Sequence, residues 1–147
     1  MALPTLKTAL LKTQNILAAS GLFRGGVQIG EPKKAPNDIA AAVIIGNGSI
    51  EEIRYGASSL DRREIIVRVY INMLSEPEEE IEFLLDEMWV TVKPLLVVGL
   101  ELGATGTYEV DVAGVTYSCG YVTVDQTVFR MMDISIPILI DDTATVA

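Results

Sequence analysis

At 147 residues the chain suits one domain burying roughly 70% of its unfolded surface, and with 50% apolar residues it needs no metal or disulfide to hold a core. It has no histidine, which removes Ser-His-Asp hydrolases and histidine-based metal centres. The net charge of −9 is unevenly spread: residues 1–73 hold nine basic and six acidic side chains, residues 74–147 two and fourteen, the reverse of a patch that grips nucleic-acid phosphates.

Residues 4–20 read as a helix, with Pro4 allowed at its start, Leu6, Leu10, Ile16 and Leu17 on one side and Gly21 as its stop. Lys7 and Lys12 interrupt any secretory apolar core. The longest apolar runs, Leu95–Val98 and Ile39–Ile45, are too short to cross a bilayer. The expectation is a soluble protein of a reducing compartment, in which the lone Cys119, within an apolar strand, is a packed thiol.

A short strand, Val27–Ile29, precedes an exposed loop, Glu31–Asp38, with two prolines and Lys33-Lys34. Ile39–Ile45 is a buried strand, Gly46-Asn47-Gly48 a tight turn, and Ile50–Tyr55 the returning strand. After a loop over Gly56–Asp61, Arg62–Met73 alternates strictly. Ile65, Val67, Val69, Ile71 and Met73 face a core, and Glu64, Ile66, Arg68, Tyr70 and Asn72 face outward. Ser75 offers a cap for a helix over Pro77–Val92, whose first turns hold Glu76, Glu78, Glu79 and Glu80. Ile81, Leu84, Leu85, Met88, Trp89 and Val92 form its apolar face, and Pro94 ends it.

Thr107–Val112 reads as a strand turned by Ala113-Gly114 into its partner, Val115–Val124. The last strand, Phe129–Ile140, carries Pro137, which argues for an edge or a bulge, and Asp141–Ala147 is a loose tail. The order is that of a single α+β domain, helices on one side of a mostly antiparallel sheet, with loop 30–38 and the tail flexible or ordered on assembly.

No constellation of reactive groups emerges. The carboxylates from Glu76 to Glu87, among them Glu79, Glu80 and Asp86, lie on an exposed helical face without the contrasting environments that acid–base pairs need; they read as a solvated or partner-facing surface. Glu31-Pro32-Lys33 matches half of a nuclease metal site, but Pro32 breaks any strand and no acid stands upstream. Gly46-Asn47-Gly48-Ser49 lacks the lysine and the following helix of a phosphate cradle. Trp89 reads as core. Tyr70 is left between packing under a loop and meeting a neighbouring subunit. Arg62, Arg63 and Arg68 read as salt-bridge formers. No catalytic, metal or cofactor residue is assigned.

Taken together, the N-terminal helix, Val27-Gln28-Ile29-Gly30-Glu31-Pro32, the strand R-R-E-I-I-V-R-V-Y-I-N-M, the helix holding Leu84-Leu85-Asp86-Glu87, and the closing strand Asp133–Ile140 resemble the tail terminator proteins of long-tailed bacteriophages, over nearly the whole chain. The resemblance implies a non-enzymatic virion protein at the head-proximal end of the tail, assembled in the host cytoplasm. It would form a ring of six copies on the tail tube, stop tube growth and dock the neck or head-completion protein, without cofactor or membrane. DNA would pass through the lumen without specific binding, repelled by acidic walls. Lys33, Lys34, Arg62 and Arg63 are candidates to meet acids of the next subunit or of the neck, a ring needing two different complementary patches. The alternatives are another phage neck or tail-completion protein and a small cytoplasmic ligand-binding domain.

Overall fold

A computed structural model describes residues 5–53, 58–103 and 108–143. Helix α1 (Thr5–Ala19) is followed by β1 (Val27–Ile29), β2 (Ala40–Ile53), β3 (Ser58–Asn72), helix α2 (Glu78–Gly103), β4 (Tyr108–Val110), a 3-10 turn (Val112–Gly114), β5 (Thr116–Val124) and β6 (Thr127–Thr143). The fold is α+β: one sheet in the order β1-β2-β3-β6-β4, with β5 also on β6. β1 joins β2 in parallel and the other pairs are antiparallel.

The alternation in β3 does what period two requires. Ile65, Val67, Val69 and Ile71 are fully buried, and they meet Ile134, Ile136 and Met132 of β6 beneath Leu6, Leu10 and Leu17 of α1 and Ile81, Leu85, Met88 and Val92 of α2. Gly21, at φ +74, ends the first helix. On the second, Pro77 and not Ser75 opens the ladder, its carbonyl accepting from Ile81 N–H. Ser75 uses its hydroxyl on Asn72 O, in the turn leaving β3.

Pro94 does not end α2, which runs on to Gly103. An interior proline costs about 3 kcal/mol. Continuing the helix buries Leu96 and Leu100 completely, about 1.5–3 kcal/mol each, and lets the buried Tyr108 hydroxyl donate to Leu100 O at 3.0 Å. Pro94 itself is exposed, so packing outweighs the lost bond.

Gly46-Asn47-Gly48 is not a hairpin turn either. β2 continues through it, with a register shift between Ile45 and Gly48 that sets Gly46 and Asn47 opposite Glu64. The Glu64 carboxylate accepts from Asn47 N–H (3.0 Å) and from Ser135 Oγ (2.5 Å). It also occupies the place a Cβ on residue 46 would take, so a larger residue there would have to displace it. β3 correspondingly begins at Ser58, inside the stretch read as the 56–61 loop; residues 54–57 lie outside those described.

β4 and β5 do not pair with each other. Both lie along β6, β4 opposite Ile138–Ile140 and β5 opposite Thr127–Ser135, as one strand broken by the 3-10 turn. Pro137 lies at the break. It pairs with Glu64 on the β3 side, so it is neither at an edge nor in a bulge. Its carbonyl accepts from Asp111 N–H, so its missing N–H points to the seam between β4 and β5, where no ladder bond is lost. Hairpin geometry instead joins β5 to β6 through Asp125 and Gln126, both at positive φ (48° and 66°). β6 reaches Thr143, taking in the start of the stretch read as a tail.

Candidate assembly surfaces

The sheet face turned away from the helices is organised by a small second core and a row of charge pairs. Tyr70 is buried with Ala42, Val124 and Phe129, its ring edge-on to Phe129 at 6.0 Å, and Ala35 packs against the group. The open alternative is thus resolved toward packing under a loop, and burial raises the phenol's pKa. Lys33 and Lys34 are exposed on that loop, and Lys34 shares with Tyr70 the lining of an open groove of about 320 Å³.

Next along the face, Arg68 donates from Nε and Nη2 to the two carboxylate oxygens of Asp133, at 2.7 and 2.9 Å, and from Nη1 to Glu31 at 2.6 Å. The fork fixes the loop after β1 to both central strands, and the bond to Asp133 raises the guanidinium pKa further. Toward the far end Arg62 pairs with Asp111 at 2.9 Å. Arg63 lies beside Gly48, and both arginines line a second open groove of about 370 Å³ with Asn47, Ser49 and Glu64.

The acidic candidates lie on the helix side. Glu79 and Glu80 stand exposed in the first turn of α2, where negative charge suits the dipole. Asp86, also exposed, borders a shallow cleft with Trp89, Tyr117 and Cys119. Glu82, read from the sequence only as part of the acidic helical face, accepts two bonds from Arg130 at 3.0 Å each, which lowers its pKa. Arg130 also donates to Gly120 O and lies over the Tyr121 ring at 4.7 Å. The candidates therefore form no single cluster: Lys34 and Tyr70 share one groove, Arg62 and Arg63 another, and Asp86 stands apart. Among the described residues no three metal-ligating side chains converge and no helix is long and apolar enough to cross a membrane.

Two sequence expectations change here. Cys119 is exposed on β5, the strand outside β6, at the open cleft beside α2, although partial burial still raises its pKa. Trp89 sits at the rim of the core between the Tyr117 ring (4.5 Å) and the Lys93 ammonium (5.0 Å).

What sequence reading passed over is apolar surface. Phe83, Val90 and Val98 are all more than half exposed and recur at two-turn intervals on α2, away from its buried stripe. Ile45 and Ile50 project from β2, and Tyr117 and Tyr121 from β5. Apolar spacing on both faces of α2 was the available signal. Comparison with known families finds no family model that matches the chain, and comparison with characterised proteins finds no match.

Proposed function

We propose that the protein is a structural virion component: a tail terminator whose copies form a ring on the tail tube, end its growth and receive the neck. The observation that carries this reading is that one subunit leaves apolar surface uncovered on separate sides. The outer stripe of α2, with Phe83, Val90 and Val98, stands apart from the edges bearing Ile45, Ile50, Tyr117 and Tyr121. Patches of that kind mark contacts with other proteins, and a ring on a tube needs one for each lateral neighbour and one for each axial partner. The sequence resemblance gives the patches their assignment.

The charge distribution supports the same reading. The acidic excess lies in residues 74–147, and an acidic lumen repels the phosphates of DNA passing through it. Deleting the gene in its phage tests the proposal. A terminator's loss gives tubes of uncontrolled length, whereas normal tails that fail to join heads would assign the protein to the head side of the neck.

A further inference from the structure

The outer edge of β5 lacks the devices that protect free strands. Its nine residues, T-Y-S-C-G-Y-V-T-V, include no charge and no proline, and their register with β6 is unbroken. Among the described residues nothing pairs with the outer side. The two-residue turn makes Val124 and Thr127 a bonded pair, so Ser118, Gly120 and Val122 spend their backbone groups on β6. Tyr117, Cys119, Tyr121 and Thr123 therefore point N–H and C=O into solvent. Such an edge recruits another strand unless something covers it.

Resting on the ring reading above, we propose that β5 is covered by a second copy of this chain, through the unpaired half of that copy's β2, Ile45–Ile50. The chain carries this second edge on the opposite side of the same sheet, because β1 covers β2 only over Ala41–Val43. The segment I-G-N-G-S-I is also uncharged, with Ile45 and Ile50 exposed. Strand directions agree: β2, β3, β6 and β5 alternate, so the next copy's β2, in the same orientation, runs antiparallel to β5. Charges agree as well, since Asp86 borders the β5 edge at Cys119 and Arg63 borders the β2 edge at Gly48.

The two edges are staggered. Gly120 lies level with Met131, Tyr70 and Ala40, whereas Gly48 lies level with Arg63, further along β3. About seven residues at ~3.3 Å, over four strand spacings of ~4.8 Å, tilt the strands by roughly 50°. That is near the tilt of about 35–45° at which sheets close into barrels, so the stagger favours closure. The contact is heterologous, as a ring requires.

Cross-linking on tube-capping rings tests this. Wild-type protein, whose only thiol is Cys119, is mixed with the Cys119→Ser/Ile50→Cys variant, assembled on tail tubes and treated with a short bis-maleimide. Mixed 119–50 dimers are expected; rings that cap tubes without them overturn the inference and leave the ring reading standing. Dominant 119–119 dimers indicate two-fold pairing and overturn it too, and failure of wild-type protein to form rings overturns both readings. Independently, Cys119→Pro, which removes an outward N–H, should weaken each contact about tenfold, the equivalent of one interfacial hydrogen bond, at an unchanged thermal midpoint. Unchanged ring assembly with that variant also counts against the inference.

Discussion

Replacing Pro94 with alanine should stabilise the protein. The proline lies inside a 26-residue helix, on its exposed side, between the fully buried Val92 and Leu96. Its ring removes one ladder bond and crowds the carbonyl four residues back, a cost of about 3 kcal/mol relative to alanine. Against that, proline restricts the unfolded chain, an advantage of up to about 1 kcal/mol that alanine gives up. The net expectation is a gain of about 2 kcal/mol, or roughly 4–8 °C in thermal midpoint for a domain of this size. Urea titration and calorimetry on wild type and Pro94→Ala measure it, provided the transition is two-state. No gain, or a loss, would mean that Leu96 and Leu100 are not held by one helix continuing through residue 94.

Arg68→Met strands the partly buried Asp133 carboxylate and should cost about 2–3 kcal/mol by urea midpoint, less than a fully buried pair, while Arg68→Met/Asp133→Leu should recover most of it. The Arg130 guanidinium holds the Glu82 carboxyl below its ordinary value, so the pair stabilises the fold above the usual carboxylate range and is lost as pH falls through the depressed value. Glu82→Gln should therefore lose stability at neutral pH and show a shallower acid decline than wild type in melts from pH 6 to 3. Leu96→Ala should cost about 2–5 kcal/mol by urea midpoint, because a side chain with 1% exposure leaves a cavity. Lys33→Glu/Lys34→Glu should weaken assembly on tubes; unchanged tail length and infectivity would remove these two lysines from the interface.

Most of the fold is legible in the sequence because period-two burial is local. Ile65, Val67, Val69 and Ile71, and later Ile134, Ile136, Ile138 and Ile140, announce their faces without knowledge of any partner. Errors arise where a distant group decides. Gly46-Asn47-Gly48 looks like a turn until Glu64 fills the space beside it, and Pro94 looks terminal until Leu96 and Leu100 find a core. Ala113-Gly114 looks like a hairpin, but Pro137 determines where the neighbour of β6 must break. Cys119 reads as buried because its strand is apolar, yet which strands remain at an edge is a property of topology. The charged candidates were visible one by one; the Glu31–Arg68–Asp133 link joins residues far apart in the chain, and no spacing rule exposes it.

Electron microscopy of purified protein mixed with its tail-tube protein bears most directly on the central claim. A ring of this chain on one end of each tube, with elongation arrested there, is the predicted result. Tubes that keep growing at both ends with no added density would contradict the account.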